Sequence, residues 1–262
     1  MNGKFGTSSE TGRRRSIRMM LGAACATVLA ITGATPAAQA QAHAHAHAHA
    51  HAHAHADTLP TWPVITTNQT GTHDGYFYAF WQDTGDAALT LGPRGHYRTR
   101  WTSTNNWFGG KGWATGGPRT FNYCAAFHPG GNSYLALYGY ATNPVTEYYI
   151  MENWGTYRPD GTRMGTVVSE GSTYDIYRTL RGIGITPYYQ YYSIRQERRS
   201  SGTINTGDHF DAWARLGMNL GATMGYMIMA TEGYLSSGSS SVTVDSAATH
   251  SSRCAAGPPS TP

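Results

Sequence analysis

The chain has 262 residues, 40% of them hydrophobic, with three cysteines and a formal net charge of +4. The charge excess belongs to residues 1–40, which hold five basic residues and one acidic residue, so the rest of the chain balances 14 basic against 14 acidic residues. A surface without net positive charge does not attract a phosphate backbone, which excludes nucleic acid as a partner.

Residues 1–40 have the features of a cleaved signal peptide. A basic cluster from Arg13 to Arg18 precedes an apolar run from Met19 to about Gly33, and residues 38–40 match the small-x-small pattern of a signal-peptidase site. The apolar run has about 15 residues, which is short for crossing a bilayer, so an uncleaved anchor is the alternative. We therefore expect a secreted, extracellular protein without membrane contact after cleavage.

Two low-complexity segments flank the remaining sequence. Residues 41–63 contain an Ala/His alternation with seven histidines, which predicts a spacer that cannot bury a core; a metal-binding tract is the alternative. Residues 245–262 are rich in Ala, Ser, Gly and Pro, which predicts a disordered tail or a linker stub. Cys124 lies in a strand-like run and Cys254 in the tail, and export permits either free thiols or a disulfide between them.

Residues 64–244 have the pattern of one all-β domain, a sandwich or a barrel. Short alternating runs of Tyr, Val, Ile and Thr are interrupted by Gly, Asn and Pro at spacings of roughly 8–12 residues. The clearest predicted strands are 75–81, 96–101, 120–126, 133–140, 147–152, 172–179, 188–196 and 226–230.

One segment departs from this alternation. Phe210 and Trp213 stand three residues apart within 208–217, the spacing of a helix face. Thr206 or Asp208 is a suitable N-cap, and Gly217 a suitable stop. We predict a single short helix here, packed on the outside of a sheet.

Among the acidic residues of the domain, most lie in turns, beside arginines or at the helix start. Glu147, Glu152, Asp175 and Glu232 instead occupy strand-like, aromatic surroundings, where a carboxylate is costly to bury. Strand alternation puts Glu147 and Tyr149 on one face and Glu152 on the other. Two such carboxylates meeting in one groove are the minimum for hydrolysing a glycosidic bond. The alternative is that each glutamate pairs with an arginine at a sheet rim.

Aromatic content fits the same hypothesis without deciding it. The chain has 18 tyrosines and seven tryptophans, and such rings offer flat apolar faces with a polar edge, as sugar binding requires. However, β-sheets favour aromatic residues in any case.

Long motifs then recur in order along the domain and carry a family resemblance. They are Thr66–Gly71, Asp74–Tyr78, Gly109–Trp113, Tyr134–Gly139, Glu147–Ile150, Trp154–Pro159, Tyr174–Tyr177, Ser193–Gln196, His209–Trp213, Gly217–Gly221, Ala230–Tyr234 and Ser236–Ser240. Through them, residues 66–244 resemble the family 11 glycoside hydrolases, which are endo-1,4-β-xylanases, and especially the secreted actinobacterial members.

The resemblance implies a fold and an activity. The expected fold is a β-jelly roll of two packed, strongly curved antiparallel sheets with a single short α-helix. The expected activity is hydrolysis of internal β-1,4-xylosidic bonds by a retaining double displacement that needs no cofactor and no metal. The expected partners are xylan and xylo-oligosaccharides, acted on by a monomer.

The resemblance also implies a role for each matching position. It makes Glu147 the nucleophile and Glu232 the acid/base. Tyr138 and Tyr149 are implied to contact the sugar next to the nucleophile, and Arg181 to stabilise the ionised nucleophile. Gln190 is implied to contact the substrate, and Trp81 to stack on a distal sugar. Asn106 is implied to be a neighbour of the acid/base. An Asn at this last position accompanies neutral or alkaline pH optima in the family.

The sequence departs from the family pattern in the thumb, the hairpin that closes over the groove. Only eight residues separate Arg181 from Gln190, and the segment is about six residues short and lacks the usual tip motif. A clipped lid is expected to weaken substrate binding. The competing hypothesis is therefore a non-hydrolytic or weakly active xylan-binding jelly roll, against which the intact glutamate pair argues. Tyr140 and Tyr192 stand where relatives often have Trp, and we expect them to tune the site at most.

Overall fold

The computed structural model describes residues 61–182 and 186–246. The predicted signal peptide, nearly all of the Ala/His spacer and most of the predicted tail lie outside the described residues. Cys124 is disulfide-bonded, whereas Cys25 and Cys254 both lie outside the described residues.

Within the described residues, the chain forms twelve strands and one helix. They are β1 Val64–Ile65, β2 Gln69–His73, β3 Tyr76–Gln82, β4 Asp86–Leu91, β5 His96–Trp113, β6 Thr120–Thr142, β7 Thr146–Trp154, β8 Thr162–Ser169, β9 Ser172–Arg181, β10 Tyr188–Arg195, β11 Ser201–Asn205, α1 Thr206–Arg215 and β12 Thr223–Ser246.

Three long strands, β5, β6 and β12, run through both layers of the jelly roll. In the layer called here the outer sheet, one half of each long strand pairs in the order β1-β4-β5-β12-β6-β11. In the layer called the inner sheet, the other halves pair in the order β2-β3-β5-β12-β6-β7-β10-β9-β8. The pairing of β12 shifts register near Ser236, between these two halves. The expected fold, an all-β jelly roll with a single helix, is confirmed.

Two details differ from the simple antiparallel expectation. The predicted strands 120–126 and 133–140 are one strand, β6, because the residues around Pro129 and Gly130 continue to pair with β12 instead of turning. In addition, β7 and β10 pair in parallel, with Gln190 opposite Glu147, while the other pairs are antiparallel. That parallel pair brings a strand from the second half of the chain beside Glu147.

Large aromatic side chains fill the space between the layers. Trp101, Trp107 and Tyr97 from β5 are completely or almost completely buried, and the rings of Trp101 and Trp107 are 5.0 Å apart. In β5 these residues alternate with more exposed positions up to Trp101, as expected for a strand with one face in the core.

The one helix of the described residues, α1, covers the opposite surface of the inner sheet. Trp213 is fully buried, and its indole Nε1 donates to Ser193 Oγ of β10 at 3.0 Å. Asn205 is the N-cap, with its side chain accepting from Gly207 N, so the prediction of Thr206 or Asp208 in that role was wrong. Gly217 follows the helix with φ of 70°, the left-handed conformation that commonly ends helices.

Candidate active site

An aromatic floor lies on the inner sheet where β5, β6, β7, β10 and β12 run side by side. The ring of Tyr138 contacts those of Phe108 and Tyr149, each at 5.1 Å between centroids. Tyr149 stacks on Tyr192 at 5.0 Å with 16° between the planes, and Tyr226 lies 6.1 Å from Tyr138. Tyr138 contacts Glu147 directly, and the charge of Glu232 raises the pKa of both Tyr138 and Tyr149.

Glu147, on β7, is held by two hydrogen bonds. The hydroxyl of Tyr138 donates to Oε1 at 3.0 Å, and the side-chain amide of Gln190 donates to Oε2 at 2.6 Å. The residue is only 6% exposed. Burial raises the pKa of Glu147, and the bonds from Gln190 and Tyr138 together with the charge of Arg181 oppose that rise. The contacts around this carboxyl thus favour its ionised form, but burial outweighs them and the pKa stays above its ordinary value.

Glu232, on β12, is a partly exposed carboxyl in a different electrostatic setting. Burial, and then the negative charge of Glu147, raise its pKa to about 8, against weaker lowering by a hydrogen bond with Tyr149 and by Arg181. The two carboxyls therefore ionise at different pH, because the negative charge that forms first on Glu147 disfavours a second negative charge on Glu232. Below a pH of about 8, Glu232 is therefore held as a carboxylic acid beside a carboxyl that ionises more readily.

The other two candidate acids lie elsewhere. Glu152, also on β7, is fully buried on the opposite face, where Arg199 forms an ion pair with it and the hydroxyls of Tyr123 and Tyr174 each donate to it at 2.6 Å. Asp175 is bound by Arg158 at 2.8 Å. The prediction that each glutamate pairs with an arginine thus holds for Glu152, but within residues 61–182 and 186–246 neither Glu147 nor Glu232 forms an ion pair.

Arg181 and Gln190 occupy facing ends of β9 and β10. Arg181 Nε donates to Gln190 Oε1 at 2.6 Å, and Gln190 in turn donates to Glu147. Within the described residues, Gln190 therefore stands between the arginine and the carboxylate. A polar contact that sequence reasoning missed is the hydroxyl of Tyr192, which donates to the same Gln190 oxygen at 2.7 Å. Strand alternation could have found it, since residues 190 and 192 share a face.

Trp81 and Asn106 lie on neighbouring strands. Trp81 stacks on Phe108 with 6.1 Å between centroids and 23° between planes. Asn106 pairs with Tyr234, two residues after Glu232, and is 8% exposed. Its backbone N–H donates to Asp83 at 2.8 Å, which anchors the end of β3 to this part of β5.

The hairpin predicted to be a shortened thumb joins β9 to β10. Arg181 pairs with Tyr188, so residues 182–187 make the whole connection. Residues 183–185 of that hairpin lie outside the described residues.

The described residues contain neither a cluster of metal-ligating side chains nor a membrane-spanning helix. None of their His, Cys, Asp and Glu side chains are grouped in threes or more in a way that would hold a metal ion. Their one helix is too short and too polar to span a bilayer.

Comparison with known proteins gives one family and consistent relatives. The family model described as "Glycosyl hydrolases family 11" matches residues 73–243. The chain is 51% identical over 189 residues to "Ethylene-inducing xylanase 1" of Botryotinia fuckeliana, covering 69% of this chain and 67% of that protein. It is 52% identical to "Endo-1,4-beta-xylanase 11A" of Humicola insolens (68% and 84% covered) and 48% identical to "Endo-1,4-beta-xylanase 2" of Rhizopus oryzae (69% and 87%). These relatives are fungal, so the expected likeness to actinobacterial members in particular is not borne out.

Proposed function

This chain belongs to glycosyl hydrolase family 11, and we propose that it uses Glu147 and Glu232 to cleave xylan with retention of anomeric configuration. The chain is an endo-1,4-β-xylanase, as its relatives of about 50% identity are. The observation that carries the proposed roles is the unequal environment of the two carboxyls, with stabilising donors on Glu147 and a raised pKa at Glu232.

The proposed reaction has two displacements. In the first, the Glu147 carboxylate attacks the anomeric carbon and the Glu232 carboxylic acid protonates the leaving glycosidic oxygen. The resulting ester neutralises Glu147 and removes the charge that had raised the pKa of Glu232. Glu232 is then a carboxylate that takes a proton from water, which attacks the same carbon and frees Glu147. No step needs a metal or a cofactor.

The aromatic floor gives the substrate its proposed position. Tyr138 and Tyr149 flank the nucleophile, and their rings can face the apolar side of the sugar that reacts. Trp81, which is partly exposed and stacked on Phe108, offers a platform for a more distant sugar. Asn106 is the proposed neighbour of the acid/base. The short hairpin after Arg181 should leave the groove less covered than a full thumb would, and therefore raise KM.

Further parts of the proposal rest on the sequence pattern. We propose export through the signal at residues 1–40 and a mature protein in which the spacer 41–63 precedes a catalytic domain, residues 64–244, and a tail, 245–262. A monomer that acts on xylan and xylo-oligosaccharides is the simplest assembly for such a domain. The balanced charge of the mature chain gives no basis for nucleic-acid binding.

The test is sugar release and product configuration. Wild-type protein should release reducing sugar from xylan, and proton NMR of xylopentaose cleavage should show the β-anomer first. Glu147→Gln and Glu232→Gln should each lower the rate by at least about 100-fold. Glu170→Gln is the matched control, because Glu170 is an exposed turn residue and the same atoms change. Full activity in either active-site variant, or an α-anomer formed first, would refute the assignment.

The alternative of a non-hydrolytic xylan-binding jelly roll is not favoured. A binding groove has no use for two carboxyls that are kept in different protonation states, because each costs free energy to remove from water.

A further inference from the structure

The side-chain amide of Gln190 is held at both of its ends. Its nitrogen donates to Glu147 Oε2 at 2.6 Å, and its oxygen accepts from Arg181 Nε at 2.6 Å and from the Tyr192 hydroxyl at 2.7 Å. An amide has its donor and acceptor on opposite sides. Two donors on the oxygen therefore force the NH2 group toward the Glu147 carboxylate.

The hydroxyl of Tyr192 has only one way to direct its proton. The positive guanidinium group of Arg181 acts on this hydroxyl and is a donor, never an acceptor. It therefore cannot take the phenol proton, whereas Gln190 Oε1 lies 2.7 Å from the hydroxyl and accepts it. Burial raises the pKa of Tyr192, so the phenol keeps that proton throughout the pH range in which a xylanase works.

The ring of Tyr192 keeps this hydroxyl in place. It stacks on Tyr149 at 5.0 Å between centroids and is 4% exposed. A phenylalanine would fill the same stack, but only the hydroxyl reaches Gln190. The hydroxyl therefore has a consequence separate from that of the ring.

We propose that Tyr192 is a positioning residue for the nucleophile, its hydroxyl acting with Arg181 to hold the Gln190 amide in the orientation that donates to Glu147. The proposal rests on the proposed role of Glu147 and goes beyond it. A flipped amide would set its oxygen against Glu147 Oε2, two acceptors in contact, and would disfavour the carboxylate. Losing the hydroxyl makes that flip easier and leaves the ring stacked on Tyr149.

The test compares Tyr192→Phe with Tyr191→Phe. Tyr191 is the preceding residue on β10, is equally buried, and its hydroxyl donates to the Asn219 carbonyl at 3.1 Å, away from Gln190. In Tyr192→Phe, kcat on xylopentaose should fall about threefold to tenfold, the range that losing one ordinary hydrogen bond gives. KM should stay within about twofold of wild type. The acid limb of the kcat/KM profile should move up by about 0.3–1 pH unit, because Glu147 becomes harder to ionise. Tyr191→Phe should leave the limb in place.

A double-mutant cycle sharpens the test. In a Gln190→Ala background, Tyr192→Phe should have almost no further effect on kcat, because its target is gone. Additive losses, an acid limb that does not move, or a rise in KM alone would overturn the proposal. Should Tyr192→Phe fail to fold, the Gln190 side-chain amide protons of the wild type decide: slow exchange with solvent supports a held amide, and rapid averaging refutes it. Inactive wild-type protein would instead refute the proposed function.

Discussion

The strongest electrostatic prediction is that removing the charge of Glu147 lowers the pKa of Glu232. That pKa is about 8, raised first by burial and next by Glu147. Two unit charges about 5.5 Å apart, as a retaining site requires, interact by about 3 kcal/mol at an effective dielectric constant of about 20. This corresponds to about 2 pH units. Since burial is the larger cause and persists, we expect Glu147→Gln to lower the pKa of Glu232 by about 1–2 units.

The measurement is a carbon-13 NMR titration of protein labelled at the glutamate side-chain carboxyl carbon, with Glu232→Gln used to assign the signal. Asp175→Asn is the control, because it also removes one negative charge. Asp175 is bound to Arg158 and does not contribute to the raised pKa of Glu232. The wild-type basic limb of kcat/KM should lie near the pKa of Glu232. A Glu232 pKa that stays near 8 in Glu147→Gln, or that falls as much in Asp175→Asn, would show that the two carboxyls do not share a site.

Three further predictions follow from neighbouring features. Asn106→Asp should change the pH–rate profile of kcat/KM, because a second acid next to Glu232 is coupled to its titration; an unchanged profile would argue against that proximity. His209 is buried without a partner for either ring nitrogen among the described residues, and burial lowers its pKa to about 3. The unfolded chain therefore binds a proton between about pH 6.5 and 3 that the folded chain does not, and stability falls as pH falls through that window. Urea unfolding at pH 6.5 and 4 should show a loss of about 3 kcal/mol, which His209→Phe removes and Asp211→Asn, an exposed change on the same helix, does not. Inserting six residues into the hairpin between Gly182 and Pro187 should lower KM for xylan about threefold to tenfold by restoring lid contacts. An unchanged KM in initial-rate assays would show that the short hairpin does not limit binding.

The period of two predicted the two faces of β7 correctly. Glu147 lies in the aromatic groove and Glu152 points to the other side, as alternation along β7 requires. The single helix was also predictable, since Phe210 and Trp213 recur at helical spacing. Its N-cap was not, because Asn205, Thr206 and Asp208 are all good capping residues and only tertiary packing decides among them.

Local sequence patterns could not predict which distant strands pair with each other. Pro129 and Gly130 are turn-forming residues, yet β6 passes through them because β12 supplies a partner along its whole length. The parallel pairing of β7 with β10 joins residues more than 40 positions apart, and no local signal encodes it. The contact between Gln190 and Glu147 depends on that pairing, so the site's polar network became visible only with the fold.

The way each of three carboxyls is compensated separates Glu152 from the two carboxyls in the groove. Glu152 is fully buried but meets an arginine and two tyrosine hydroxyls, so its charge is matched and it ties three strands together. Glu147 has donors of its own, but they are an amide and a phenol, which stabilise an anion without neutralising it. Glu232 has the least compensation, and its pKa rises accordingly. A fold selected only for stability would match all three carboxyls as it matches Glu152. The two left incompletely matched are those that face each other's charge in the groove, where reversible protonation is the property that glycoside hydrolysis uses.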